Sequence, residues 1–268
     1  MEVHAHSSPA PGGAHTARKK WTHYLWEFLM LFLAVTLGFF VENQREHYIE
    51  GQRAKEYAGM LFDDLKKDTA MLNERKKLLM SSVFQTDTLI EMVTRRGFKN
   101  IPADSFYYYN GSAINVTQRN GFAEATIQQL KSSGSLRYFT NHLLKKKISE
   151  YDIAIHNLNL LEEINLNRTA ITINYITKLE DYKLNRFYYH YLLDSQKGVL
   201  KDYRENLFDT FKNNQFHINN PDVMKEFVNF SAWRIGNVWL ESIEYNIDPT
   251  LKVAAELLEI LKENYHFK

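Results

Sequence analysis

Residues 21 to 41 read WTHYLWEFLMLFLAVTLGFFV, and this stretch determines how the chain is organised. Fifteen of the eighteen residues from Tyr24 to Val41 are apolar. As a helix rising about 1.5 Å per residue, residues 21–41 reach roughly 31 Å, close to the hydrocarbon thickness of a bilayer. No other part of the 268-residue chain holds a comparable run, so the sequence predicts one transmembrane helix that carries a larger polar region.

The two ends of this apolar run indicate its orientation in a bilayer. Aromatic residues that favour the membrane interface begin the run and basic residues directly precede it: Trp21, Tyr24, Trp26, Arg18, Lys19 and Lys20. After the run Arg45 stands alone nearby, although Arg53 and Lys55 equalise the basic count over about 20 residues. Because basic residues close to a span favour the cytoplasmic side, we expect an inner-membrane protein with its N-terminus inside and an exported, periplasmic C-terminal region.

Two other interpretations of the apolar run fit it less well. A cleaved signal peptide has a small-x-small cleavage site, whereas this run ends in Gly38, Phe39, Phe40, Val41 and Glu42. A core helix of a soluble protein is usually amphipathic, whereas this run is apolar on all sides. The sequence therefore favours an uncleaved signal anchor.

Composition excludes several kinds of site in the remaining chain. Residues 1–20 are rich in Ser, Pro, Gly and Ala and are expected to form a disordered tail. There is no cysteine, which rules out disulfides, thiol catalysis and Cys-ligated metals. Lys and Arg number 33 against 32 Asp and Glu, and the two signs are interleaved, so nothing indicates a nucleic-acid partner. Residues 42–268 are long enough for one domain with a proper core.

A long amphipathic helix is predicted to continue directly from the transmembrane segment. Apolar residues recur at helical spacing and fall within an arc of about 80°: Tyr57, Leu61, Leu65, Leu72, Leu79, Val83, Ile90 and Val93. No proline separates them from residue 41, so we expect one helix over about 21–95, ended by Gly97 and Pro102. Its part after the membrane, about 42–95, forms a juxtamembrane rod.

The segment from Gly97 to Gly121 is predicted to be rich in loops. Its aromatic run, within residues 105–109, covers the open side of a helical bundle or lines a ligand pocket. A short helix from Phe122 to about Ser133 follows, and Gly134 is expected to end it in the left-handed conformation.

The rest of the chain is predicted to form the helices of a bundle. One or two long helices cover Thr140 to about Leu193, and their 4-3 spacing is typical of a helix–helix seam: Leu144, Ile148, Tyr151, Ile155 and Leu158. Two later helices are expected to begin at Asn220–Pro221 and Asp248–Pro249. The predicted fold is all-α: a transmembrane helix, a long amphipathic helix, and an antiparallel bundle over about 104–268.

Three features of the sequence resemble a family of uncharacterised bacterial single-span membrane proteins, defined only as a domain of unknown function. They are Glu27 near the start of the span, the Leu61, Leu65, Lys66, Lys67, Asp68 pattern, and the string QLKSSGSL at 129–136, with a Leu/Ile-rich helix reaching Tyr151 after it. The family usually begins its span with Gly-Glu-Ile, which this chain lacks. The resemblance implies a membrane anchor with a C-terminal helical domain, and no activity is established for that family.

Glu27 is the residue with the sharpest functional hypothesis, because ionisable residues within a span usually mark function. At 100° per residue, Ala34 and Gly38 lie about 20° to either side of Glu27 on one helix face, and small residues allow close helix approach. Glu27 could therefore lie in a contact between the spans of a homo-oligomer, extend to the lipid headgroups beside Lys20, or relay ions or protons.

No motif in the sequence indicates an enzyme. There is no nucleophile elbow, no HExxH and no Gly-rich nucleotide loop, so we predict neither catalytic residues nor a cofactor or metal. The sequence favours a non-enzymatic interaction module of the bacterial envelope, with a partner that it does not identify. The alternative is a single-span sensor whose aromatic residues within 105–109 and 186–191 line a ligand pocket. Convergent polar groups in a pocket would favour the sensor, and an exposed apolar patch would favour the interaction module.

Overall fold

The computed structural model describes residues 21–115, 121–179 and 217–267, with the backbone alone at 111–115. The all-α prediction is confirmed, because helices account for nearly all regular structure in these ranges. The elements are α1 (Trp21–Arg95), β1 (Ile101–Pro102), α2 (Ala103–Asn115), α3 (Ala125–Ser132), a 3₁₀ turn (Ser135–Tyr138), α4 (His142–Leu179), β2 (His217–Ile218), α5 (Pro221–Arg234), π-helical segments at Ile235–Leu240 and Ile243–Ile247, and α6 (Asp248–Tyr265). The predicted tail at 1–20 lies outside the described residues.

Helix α1 has the predicted bounds, and the chain divides along it into two compact units, Met1–Gln52 and Arg53–Lys268. In the first unit, the helix contains an 18-residue window of mean hydropathy 2.0, none of which is buried inside the protein. By length and composition this is a candidate membrane span.

The core of the second unit consists of three apolar clusters that follow one another along α1. The first joins Ala54–Leu65 of α1 to Leu144–Ile155 of α4 and Ala254–Leu261 of α6. The middle cluster joins Leu72 and Leu79 to Leu158 and to the π-helical segments. The third joins Leu89 and Val93 to α2, to the end of α4 and to α5. Helices α1 and α4 therefore run parallel, and the chain from α5 to α6 runs antiparallel to both.

Local sequence explains where α3 ends and where α5 begins. Gly134 has a φ of +67°, the left-handed conformation predicted for the residue that ends α3, and Leu136 packs in the same cluster as Leu130. Asn220 and Pro221 begin α5 as predicted. The β-branched stretch 169–177 is helical, although its alternating pattern also suits a strand. Any continuation of α4 toward Leu193 lies outside the described residues.

The segment predicted to be a loop, Gly97 to Gly121, contains helix α2 instead. Phe106 and Tyr107 are buried in the third cluster, and the Phe106 ring lies 5.9 Å from the ring of Phe227. Burying two large aromatic side chains stabilises by several kcal/mol, about 1.5–3 for each, which outweighs the modest helix propensity of aromatic residues. The prediction that the aromatic run covers the core is confirmed, but the loop prediction was wrong.

The sequence also gave no sign of the short β1–β2 pair. Ile101 pairs with Ile218 and Pro102 with His217 in an antiparallel ladder. Two residues are too few to produce the alternating pattern by which strands are recognised.

The chain stays helical from Pro221 to Tyr265, so Asp248 does not cap an isolated helix as predicted. Ile247, directly before it, already has helical angles of −68° and −51°. Pro249 has no N–H to donate to the carbonyl of Tyr245. In the preceding π-helical turn, each N–H donates to the carbonyl five residues earlier. The carbonyl of Tyr245 can therefore accept a hydrogen bond from the residue after Pro249. Asp248 instead forms an ion pair with Lys76, with 2.6 Å between Nζ and Oδ1.

Candidate functional site

A row of exposed apolar side chains on α4 is the most distinctive surface feature of the second unit. Ile153, Leu160, Ile164 and Ile171 are 60%, 47%, 46% and 45% exposed. Their spacing of seven, four and seven residues places them within an arc of about 40° on one face of the helix. We call this row the outer seam of α4.

The outer seam lies opposite the seam that the sequence predicted. Leu144, Ile148, Tyr151, Ile155 and Leu158 are all at most 3% exposed and pack against α1 and α6 or the middle cluster. Helix α4 is thus apolar on two opposite sides, but the described protein covers only one of them. Sequence reasoning missed the outer seam, although its spacing was a visible signal.

A buried carboxylate, Asp68, connects α1 to α4 and to the non-helical residues before α3. Asp68 is 2% exposed. Its Oδ1 accepts a hydrogen bond of 2.9 Å from the amide of Ala123, and its Oδ2 accepts one of 2.7 Å from the hydroxyl of Tyr151. Burial raises the pKa of Asp68, while the two hydrogen bonds act in the opposite direction. Beside it, Thr126 donates to Asp64 over 2.5 Å.

This network joins two of the strings that carried the resemblance. Asp68 ends the Leu61–Asp68 pattern, and Tyr151 lies on α4, the helix that follows the string at 129–136. They are 83 positions apart in sequence but directly hydrogen-bonded in the fold. Because both are buried and their polar atoms bind each other, we interpret the network as structural.

A small cavity lies beside the middle cluster. Its volume is about 30 Å³, and its lining includes Arg75, Glu162, Arg168, Arg234 and Trp239. Arg234 donates to Thr172 over 2.5 Å, and its guanidinium lies 4.6 Å from the ring centre of Trp239. Burial lowers the pKa of Arg234 to about 10. The space corresponds to roughly one water molecule, which is far below the size of a small-molecule site.

A shallower groove between α3 and α4 has a volume of about 280 Å³. Four of its polar side chains bind one another: Lys131 lies 2.7 Å from Asp152, and Asn159 donates to Glu124 over 2.6 Å. The aromatic side chains expected in a sensor pocket are not among its lining residues. Phe106 and Tyr107 are core residues instead, and residues 186–191 lie outside the described ranges.

In the candidate span, α1 places Glu27, Ala34 and Gly38 on one face, as the spacing predicts. The carboxylate of Glu27 lies 3.0 Å from Nε2 of His23, one turn toward the N-terminus. The aromatic residues predicted at the interface, Trp21, Tyr24 and Trp26, are exposed. The basic residues Arg18, Lys19 and Lys20 lie outside the described residues. Within the described residues, no cluster of His, Asp and Glu suits a metal ion. The role of these residues in the membrane stays a prediction.

Replacing Gly38 by isoleucine should lower self-association of the full-length chain in a membrane two-hybrid assay more than Leu37→Ile does. A Cβ at Gly38 meets nothing within 4 Å in the single chain, so any clash must come from a second copy. Close backbone approach is what small residues supply between helices in lipid. Equal signals from the two variants would mean that the Gly38 face makes no contact and that the span only anchors the chain.

Comparison of the chain with protein-family models, curated proteins and solved structures finds no match. The family resemblance therefore stays a prediction.

Proposed function

We propose that this chain is a membrane-anchored helical module that works by protein–protein contact. The outer seam of α4 carries the proposal. Most of a protein's isolated exposed apolar residues need no explanation, but four in one row on one helix are typical of a surface that packs against another helix. Covering such a row stabilises a complex by about 25 cal/mol for each Å² of apolar surface removed from water.

Of the cavities lined by residues that the structure describes, neither the one beside Arg234 nor the groove between α3 and α4 suits a ligand. A ligand pocket of about 300–1,000 Å³ is usually lined mainly by apolar and aromatic side chains. The cavity beside Arg234 is ten times smaller than that lower bound, at about 30 Å³. The groove of about 280 Å³ does hold converging polar groups, but four of them, Lys131 with Asp152 and Asn159 with Glu124, already bind each other. The proposal includes no catalytic step and no cofactor, in keeping with the motifs of the sequence.

The setting we propose is the inner membrane of a bacterial envelope, with the domain exported. The candidate span, the basic residues before it and the family resemblance support this setting. Protease added to spheroplasts should digest the chain beyond Arg45 while the membrane is intact. Protection until the membrane is broken would mean that the domain faces the cytoplasm.

Replacing Leu160 by glutamate should abolish most crosslinking of the full-length chain to its partner in native membranes. A carboxylate in the outer seam would have to lose its hydration when the surface is covered, which is costly. Leu143→Glu is the matched control, since Leu143 is 51% exposed on the same helix but lies about 100° away from Leu160.

Both variants should retain the helical circular dichroism of the unmodified chain, because both positions are exposed. The measurement is the yield of crosslinked species after treatment of intact membranes. If Leu160→Glu and Leu143→Glu give the same yield as the unmodified chain, the outer seam is not a contact surface.

A further inference from the structure

The outer seam continues as a heptad pattern when its polar positions are included. Exposed residues follow one another at 4-3 spacing along α4: Ile153, Asn157, Leu160, Ile164, Asn167 and Ile171. In heptad notation, Asn157, Ile164 and Ile171 occupy a positions, and Ile153, Leu160 and Asn167 occupy d positions. We infer that the outer seam pairs with the same seam of a second copy of this chain, in parallel and in register, as a two-stranded coiled coil. This inference rests on the proposed function and identifies its partner.

The residue types at the centre of the seam favour two strands. Isoleucine at a together with leucine at d, as at Ile164 and Leu160, is the combination typical of parallel dimers. A single asparagine at an a position specifies register and oligomeric state at some cost in stability.

The asparagines also favour a second copy over an unrelated apolar helix. In register, Asn157 faces Asn157 of the second copy, and Asn167 faces its own equivalent. Each amide has donors and an acceptor, so two facing amides can bind each other. Against an apolar partner the same groups would be covered without hydrogen bonds, at a cost of about 1–3 kcal/mol each.

Charges beside the seam favour the parallel direction. Glu163 occupies a g position and Arg168 the following e position, and a parallel pair places each g residue beside the e residue of the other helix. Glu163 would then lie near Arg168 of the second copy. Arg168 is held 5.2 Å over the ring of Trp233, and its guanidinium has five N–H donors in all. An antiparallel pair that matched the same apolar positions would bring Glu163 of both copies together.

The fold and the anchor reduce the cost of this association. The seam from Ile153 to Ile171 is only about 27 Å long, which is short for an isolated coiled coil. Helix α4 is already formed, because its buried seam packs in the core, so association pays no helix nucleation. Two copies held in one membrane also meet at a raised effective concentration.

Single cysteines test this pairing cleanly, because the chain contains none. Ile171→Cys, in the full-length chain in native membranes under mild oxidation, should form a disulfide-linked dimer. Residues at facing a positions of a parallel pair lie within the Cα separation of about 4.4–6.8 Å that a disulfide requires. Ile173→Cys is the control: Ile171 and Ile173 are both isoleucines and both 45% exposed, but they lie about 200° apart on the helix.

We expect several-fold more dimer from Ile171→Cys than from Ile173→Cys. Equal amounts, or no dimer from Ile171→Cys, would overturn the inference. A mixture of chains carrying Ile153→Cys and Ile171→Cys detects the antiparallel pair, in which these two positions face each other. A dimer that forms only in that mixture would also overturn it.

The outcomes separate this inference from the proposed function. If Ile171→Cys forms no dimer but Leu160→Glu still removes the crosslinked species, a different protein covers the seam and only the inference fails. If Leu160→Glu changes nothing and Ile171→Cys forms no dimer, both fail.

Discussion

Replacing Leu65 by alanine should lower the free energy of unfolding by about 2–5 kcal/mol. Leu65 is fully buried in the first core cluster, where α1 meets α3, α4 and α6. Removing three carbons there loses their transfer free energy and leaves a cavity that rigid neighbouring helices close only in part. Denaturant unfolding of the full-length chain in detergent micelles, followed by circular dichroism, measures the change.

Leu78→Ala is the control for this prediction. Leu78 lies on the same helix, but 43% of it is exposed, so its truncation should cost well under half as much. Similar losses for the two variants would mean that the first cluster does not stabilise the domain as the packing implies.

Replacing Tyr151 by phenylalanine should lower the free energy of unfolding at pH 7 by about 1.5–3 kcal/mol, the usual value of a hydrogen bond to a charged group. The variant keeps the ring in the core but removes the hydroxyl that donates to Asp68 over 2.7 Å. Of its two donors, the buried carboxylate of Asp68 then keeps only the amide of Ala123.

The cost of Tyr151→Phe should depend on pH. Burial raises the pKa of Asp68 in the folded protein above its value of about 3.9 in an unfolded chain. A raised folded pKa means that this group's contribution to stability is fully present below the unfolded pKa and is lost as the pH rises through the folded pKa. Losing the tyrosine donor raises the folded pKa further. The stability gap between Tyr151→Phe and the unmodified chain should therefore widen from pH 4 to pH 7.

Asp68→Asn provides the control, because asparagine does not titrate. On that background Tyr151→Phe should cost only about 0.5–1.5 kcal/mol, and the cost should be the same at pH 4 and pH 7. A pH-dependent cost that persisted in Asp68→Asn would assign the effect to another group.

The features predicted correctly from the sequence depend on short-range physics. The candidate span follows from apolar residues on every side of one helix, and the bounds of α1 follow from an unbroken apolar stripe that meets Gly97 and Pro102. The end of α3 follows from a glycine that accepts a positive φ without a Cβ clash. Each of these causes acts within a few residues, so each is visible in the sequence.

Features that depend on distant partners were missed. Helix α2 forms within the segment from Gly97 to Gly121 that was predicted to be rich in loops, because Phe106 and Tyr107 are buried against a helix more than a hundred residues later. The π-helical turns before Pro249 keep one helix continuous, whereas the proline alone predicted a new start. Local conformational preferences of about 1 kcal/mol are easily outweighed by the burial of large apolar side chains, which stabilises by about 1.5–3 kcal/mol for each.

The sequence by itself determined that α4 is apolar at helical spacing on two sides, through Leu144, Ile148 and Tyr151 on one and Leu160 and Ile164 on the other. Only the tertiary structure decided which side enters the core and which stays exposed. Spacing fixes which residues share a face, because the helix period is constant. It carries no information about which face meets α1 and α6, since that depends on how helices distant in sequence pack together.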